Sequence, residues 1–338
     1  MRRLRGASSV RVRDGIRVDL RNAVDKEDKH MIHAIVNAKA SAGKKQTAGE
    51  MIEQALKNHE KEYRIHRVSE PGETRELCAS LSAEEGPKTI WVAGGDGTVN
   101  EAINGLHVTD DLNFCYLPAG SGNDLARGLR MPQKLDKALD KVLASEGYTP
   151  YDYGEMELFP GGITHFAGSS GMGYDAKVCQ EMLTSKLKKR LNRIHLGKLA
   201  YYLIALKLVF VNPRFQMTLI ADDGISRSYS DVIFICMMNH QYQGGGLRMA
   251  PTADPCDGKI TVTFAHNMRP LKVLFVLPRI VNGSYIKLKN VETFDCRELE
   301  VMTDTKQCVH NDGEVVGEVR HLKVRCGLGK LRMPTMKQ

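Results

Sequence analysis

The fold class predicted is α/β followed by all-β: an N-terminal doubly wound parallel α/β domain, then a C-terminal antiparallel β-sandwich with helical insertions. Three observations predict it. The chain has 338 residues, enough for about two domains. Between residues 31 and 149, short apolar runs alternate with stretches of helical periodicity, the pattern of a parallel sheet covered on both faces. Past residue 150 strand-like runs follow one another, as in an antiparallel sandwich.

Residues 1–30 hold nine Lys or Arg and five acids with little periodicity, and read as a poorly ordered basic arm. The first strand is 31–38. Ala48, Met51, Ile52, Ala55 and Leu56 then recur at helical spacing and form one apolar face. A strand at 63–68, a helix at 73–85 and a buried strand at 89–93 follow. Next come a helix at 98–106, a strand at 114–117 and helices at 123–129 and 134–145. In the second half, 163–167, 215–221, 228–237, 259–264, 299–303 and 321–326 read as strands. Ile260, Val262 and Phe264 share one face of the fourth, with Thr261 and Thr263 on the other. Helical insertions are expected at about 181–210 and 270–282, and 331–338 reads as a C-terminal tail. The expected domains are therefore 31–149 and 150–330.

Composition narrows the class of function. Hydrophobic residues make up 42% and charged residues 26%, which fits a globular chain and excludes wholesale disorder. The longest apolar run, 199–211, has 13 residues and contains Lys207, whereas a membrane-spanning helix needs about 20. The start of the chain is Arg-rich and polar, which does not read as a signal peptide. Eight cysteines include no C-x-x-C pair, so reduced thiols in a cytoplasmic protein are expected rather than disulfides or zinc. The net charge is +8, and residues 182–221 hold eight Lys or Arg and no acid. Such a block predicts an acidic partner, membrane lipid or nucleic acid. No stacking aromatics interleave with Lys186, Lys188, Lys189, Arg190 and Arg193. A solvated face is the bland alternative; the reading adopted is no nucleic acid but peripheral contact with an anionic membrane surface.

The strongest local signal is Gly94-Gly95-Asp96-Gly97-Thr98-Val99-Asn100, a strand running through glycines into a helix. Thr98 and Glu101 have capping-box spacing, so Thr98 is the expected N-cap. Free N–H groups and the helix dipole suit a phosphate, although a tight strand-to-helix turn reads equally well. It is neither a Walker A loop nor a dinucleotide fingerprint, because Asn100 stands where a third glycine belongs. A second loop, Leu117-Pro118-Ala119-Gly120-Ser121-Gly122-Asn123-Asp124, repeats the arrangement. In a parallel sheet both loops fall at the carboxyl ends of strands, where ligands bind.

These two loops, followed by Asn311-Asp312-Gly313-Glu314, resemble the diacylglycerol kinase catalytic family, with soluble bacterial lipid kinases as the nearest type. The likeness covers about residues 31–330. It implies an N-terminal domain of the NAD-kinase and diacylglycerol-kinase type, with ATP in the cleft between the domains. Asn37 matches the family's first strand-end motif, with Ala38 in place of its proline. Ser69 and Ser121 match hydroxyls that face nucleotide, and Gly94 to Asn100 match the phosphate loop. A carboxylate beside a triphosphate needs a bridging cation, so Asp96 and Asp124 are expected in a Mg²⁺ and water network, with Asn123 beside them. The alternative for Asp124 is a helix cap.

The resemblance also makes Glu314 the general base toward the acceptor hydroxyl, with Asp312 orienting it or binding Mg²⁺. On spacing alone, Asp312-Gly313 is a hairpin turn. Asp254-Pro255-Cys256-Asp257-Gly258-Lys259 resembles a turn holding a second, structural Mg²⁺ through the Asp257 carboxylate and the Asp254 and Lys259 carbonyls. A plain hairpin remains open there. Gly244 to Gly246 reads as a loop at the cleft, and the glycine-rich bend 168–175 has no assigned role. The implied function is a Mg²⁺-dependent kinase moving the ATP γ-phosphate to a lipid alcohol acceptor, first of all diacylglycerol. Alternatives are a sphingoid base, another lipid alcohol or a soluble polyol on the same fold, or a nucleotide-binding regulator without catalysis. A homodimer and a cytoplasmic, peripherally membrane-associated location are further expectations.

Overall fold

The structure is a computed structural model describing residues 31–40, 46–184, 197–211 and 214–336. The basic arm and Lys186 to Arg193 of the cationic block lie outside the described residues.

The first lobe begins β1 (Ile32–Asn37), α1 (Ala48–Asn58), β2 (Tyr63–Val68), α2 (Glu73–Ala83) and β3 (Lys88–Gly94). It continues with α3 (Asp96–Gly105), β4 (Leu112–Pro118), α4 (Asp124–Gly128), α5 (Leu135–Leu143) and β5 (Tyr148–Tyr151). Strands β1 to β4 pair in parallel. Ile90, Val92, Phe114 and Tyr116 are fully buried, as a sheet covered on both faces requires. Helix α1 starts at a capping box: Thr47 Oγ1 accepts from the Glu50 N–H, and Glu50 Oε2 accepts from the Thr47 N–H. Its apolar face seats Ile52 and Leu56 in the core.

The second lobe runs β6 (Gly154–Phe159), β7 (Ile163–Phe166), β8 (Ser169–Gly173), α6 (Tyr174–Thr184) and a helix at Gly197–Val211. After these come β9 (Phe215–Ala221), β10 (Ser226–Met238), β11 (Ile260–His266), a helix at Pro270–Asn282 and β12 (Val291–Cys296). A long hairpin, β13 (Glu298–Asn311) and β14 (Glu314–Cys326), completes it. The antiparallel sheet folds over because β9 pairs with both β10 and β13. Its interior holds Met156, Phe166, Val262, Phe264, Val309 and Leu322. Ile260, Val262 and Phe264 do share that interior face. Thr261 and Thr263 are buried too, because helices cover the outer face.

Residues 331–334, expected as tail, are β15 (Leu331–Pro334) of the first lobe's sheet. That sheet has the order β2-β1-β3-β4-β15-β5. Leu331 and Met333 are buried in the first lobe's core, and this burial draws the chain back. The chain thus crosses between lobes twice, after β5 and before β15. The crossings lie side by side: the Gly327 N–H donates to the Tyr153 carbonyl at 2.8 Å, and Lys330 pairs with the buried Asp152.

Candidate active site

Strand order reverses between β1 and β3, which places a crevice at their carboxyl ends. Asn37 ends β1, and its Nδ2 donates to Thr98 Oγ1 at 3.1 Å. Thr98 is therefore not the N-cap of α3. Gly95 occupies that position without a side-chain cap, and Asp96 is the first helical residue. Glu101, the expected capping partner, instead accepts from the Gly72 N–H at 3.1 Å. Leaving Gly95 uncapped exposes helix N–H groups to the crevice. Val99 contributes only backbone, since its side chain is in the core.

The two glycine loops touch. A methyl group on Gly120 would lie 2.4 Å from Gly95 Cα, so this approach needs glycine. Gly94 O accepts from the Ala119 and Gly120 N–H groups. Asn123 adopts a left-handed conformation and braces the second loop, its Oδ1 accepting from Tyr116 Oη and the Gly120 N–H. Ser121 is exposed between the glycines. Ser69 is exposed as well; its N–H donates to Glu73 Oε2 at 2.7 Å and its hydroxyl lies 3.4 Å from Glu70 Oε1.

Asp96 reaches across to the second loop and accepts from the Asn123 and Asp124 N–H groups at 2.9 and 2.8 Å. Asp124 does not cap its own helix: it accepts from the Gly245 N–H at 2.7 Å and from Arg127 Nη1 at 3.1 Å. The triglycine loop thus meets the second glycine loop through Gly245. Burial pushes both carboxyls above their ordinary range, against the pull of the N–H donors. The charge of Asp96 raises Asp124 further. Two adjacent half-buried carboxylates would suit a hydrated Mg²⁺. Among the described residues no group of three or more His, Cys, Asp or Glu forms a closed metal cage.

The β13–β14 turn carries the other half of the site. Asp312 and Gly313 both have positive φ, 50° and 90°, so Asp312-Gly313 is a hairpin turn, and the residue after it, Glu314, lines the cleft. Asp312 is enclosed: its oxygens accept from the Ala167, Gly168 and Ser169 N–H groups at 2.8, 2.9 and 3.0 Å and from Asn100 Nδ2 at 3.2 Å. These four partners join both lobes, and none is Glu314. The bend at 168–175, which carried no expected role, supplies two of these donors, Gly168 and Ser169. Burial still holds the Asp312 carboxyl above its ordinary range. Glu314 is exposed and free to act on a ligand. A methyl group on Gly97 would lie 2.8 Å from Glu314 Oε1, so this carboxylate rests against the first glycine loop.

A cavity of about 560 Å³ lies between the lobes. Asn37, Gly95, Gly97, Thr98 and Asn100 line it from one side and Glu314 from the other. Sequence reasoning missed Arg75, Asn104 and Thr164, which also line it. Arg75 brings a cation to the cavity wall. Asn104 clamps the lobes, its Nδ2 donating to the His165 carbonyl and its Oδ1 accepting from Thr164 Oγ1. An arginine in the first turn of α2 gives no local sign that it faces the crevice, so only the packing of α2 on α3 reveals it.

The turn at 254–259 lies away from this cavity. Asp254 and Asp257 each accept from a backbone N–H two residues on, those of Cys256 and Lys259. Gly258 N–H donates to Asp152 Oδ2 at 2.7 Å, and Lys330 supplies that buried carboxylate with a cation. The chain's own ammonium thus already stands at this turn.

Comparison with known proteins agrees with this arrangement. Residues 31–156 match the family model described as diacylglycerol kinase catalytic domain. Residues 168–333 match the one described as YegS C-terminal NAD kinase beta sandwich-like domain. A Mycobacterium tuberculosis (strain ATCC 25618 / H37Rv) diacylglycerol kinase is 30% identical over 231 residues, 68% of this chain and 71% of that protein. YtlR of Bacillus subtilis (strain 168), named as an inferred lipid kinase, is 29% identical over 272 residues, 79% of this chain and 87% of that protein. The crystal structure of a diacylglycerol kinase from Bacillus anthracis str. Sterne superposes with a TM-score of 0.66 at 19% identity, covering 92% of this chain and 98% of that one. That likeness shows the fold.

Proposed function

The chain belongs to the diacylglycerol kinase catalytic family, and on that premise we propose that it is a Mg²⁺-dependent lipid kinase using ATP, with diacylglycerol as acceptor and phosphatidic acid as product. The observation that carries the reading is the Glu314 carboxylate resting against Gly97 across a cavity shared by both lobes. Phosphoryl transfer asks for little covalent chemistry from the protein beyond positioning, charge neutralisation and a destination for one proton. The uncapped start of α3 receives the phosphates, and Arg75 adds positive charge beside them. Glu314 accepts the proton of the lipid hydroxyl as its oxygen bonds to the γ-phosphorus. The bond from that phosphorus to the β–γ bridging oxygen breaks, and ADP leaves with the electron pair. Asp312 does not reach the reacting atoms; it fixes the turn that presents Glu314. Mg²⁺, when bound with ATP, supplies charge neutralisation, and Asp96 and Asp124 are the residues fitted to hold it through water.

The test is phosphate transfer from labelled ATP to detergent-dispersed diacylglycerol, a sphingoid base and a soluble polyol. Glu314→Gln should lower turnover about 10²–10⁴-fold without moving the thermal unfolding midpoint. A wild-type rate in that variant would remove Glu314 from the chemistry. ATP binding with no transfer to any acceptor would replace the enzyme by a nucleotide-binding regulator.

A further inference from the structure

Two helices on the second lobe present apolar side chains outward. On Gly197–Val211, Leu203, Leu206 and Phe210 fall on one face and are 43%, 43% and 53% exposed. On Pro270–Asn282, Leu271 and Phe275 lie one turn apart and are 65% and 72% exposed. The opposite faces of both helices are buried: Val209 packs in one cluster with Val273, Val276 and Ile280. These outward residues are therefore not core side chains caught at a rim. The Arg214 guanidinium donates to the Met268 carbonyl at 3.1 Å and ties the end of the first helix to the start of the second. Phe210 and Leu271 thus stand at neighbouring helix ends.

Within the two insertions the charge has one sign, although Asp231 lies near Arg214 where they meet. Residues 182–221 contain eight Lys or Arg and no acid, and residues 267–291 contain five, Arg269, Lys272, Arg279, Lys287 and Lys289, again with no acid. Two insertions far apart in sequence share this composition and meet in space. Lys207 and Lys272 are exposed beside the apolar residues. Exposed apolar side chains gathered on two helices that pack together mark a contact surface. Self-association through it would bring two cationic surfaces together, whereas an anionic bilayer satisfies both features at once.

We infer that the outward faces of these two helices form a docking surface for an anionic lipid bilayer, with Phe210, Leu271 and Phe275 entering the acyl boundary and Lys207 and Lys272 meeting headgroups. The inference rests on the lipid-kinase reading only for its purpose; its geometry is independent of the cleft.

The experiment is co-sedimentation of the full chain with phosphatidylcholine vesicles, with and without phosphatidylglycerol. The wild type should bind only when phosphatidylglycerol is present, and less at high salt. Phe275→Ser and Phe210→Ser should each weaken binding about tenfold. Lys272→Glu should weaken it as well. All should keep wild-type thermal unfolding and wild-type turnover on detergent-dispersed acceptor. Wild-type binding in both serine variants, or loss only in Lys272→Glu, would overturn insertion of this face. So would a wild-type dimer, seen by sedimentation velocity without lipid, that Phe275→Ser dissociates. Turnover in detergent without vesicle binding sinks this inference alone. Vesicle binding without transfer to any lipid alcohol sinks the kinase reading and leaves the surface standing.

Discussion

Asp312 and Glu314 are two residues apart yet answer to different tests. Asp312→Asn puts an amide N–H₂ among four donors that now have one acceptor oxygen fewer. Unfolding by urea should then report a loss of about 3 kcal/mol or more; an unchanged midpoint would mean that the cradle does not hold the lobes. His240 makes a second residue-scale prediction. It is fully buried between Gly128 of the first lobe and Gly168 of the second, where methyl groups on either glycine would lie 2.4 and 2.3 Å from its ring. Its Nδ1 accepts from the Tyr242 N–H, and Nε2 has no hydrogen-bond partner among the described residues. Burial lowers its pKa from 6.5 to about 4. Between those values the unfolded chain binds the proton and the folded chain does not, so stability is lost as pH falls through that window. The ceiling is about 3 kcal/mol. Urea midpoints at pH 7 and pH 5 should differ in the wild type and differ less in His240→Gln; equal slopes would dismiss the effect. The residue types at the site were legible because glycine loops and Asp-Gly-Glu are local patterns. Three of the four partners of Asp312 were not, because Ala167, Gly168 and Ser169 stand 145, 144 and 143 residues upstream and donate through backbone groups without a side-chain signature.

At the scale of elements, the two glycine loops separate chemistry from stability. A methyl group on Gly97 meets the movable end of Glu314, whereas one on Gly120 meets the Gly95 backbone. Gly97→Ala should therefore reduce turnover severalfold or more with little change in unfolding temperature. Gly120→Ala should cost about 1–3 kcal/mol and weaken ATP binding. Identical behaviour in calorimetry and nucleotide titration would show that the loops do not touch in solution. Strands rich in β-branched residues, such as β3 and β11, were readable from sequence. Strand β8, Ser169–Gly173, was not, because Ser-Ser-Gly-Met-Gly has neither period-two alternation nor strand propensity and is fixed by its neighbours β10 and β13. The start of α3 misled for a related reason: the capping spacing of Thr98 and Glu101 is present, but Asn37 and Gly72 engage those side chains instead.

At the scale of the molecule, β15 decides which residues belong to which lobe. Leu331 is 1% exposed and Met333 2%. Leu331→Ala should lower stability by about 2–5 kcal/mol, read as an earlier unfolding transition; a wild-type melt would mean that the returning strand is dispensable. Periodicity could not reveal it, because four residues at the end of a chain carry too little pattern and their partners β4 and β5 lie far upstream. The paired crossings act as a seam. Bonded to each other at Tyr153–Gly327 and Asp152–Lys330, they fix where the chain leaves the first lobe and where it returns. A piece of the chain ending at β5 would lack the β15 that stands between β4 and β5 in its own sheet, so the N-terminal half does not carry its whole fold.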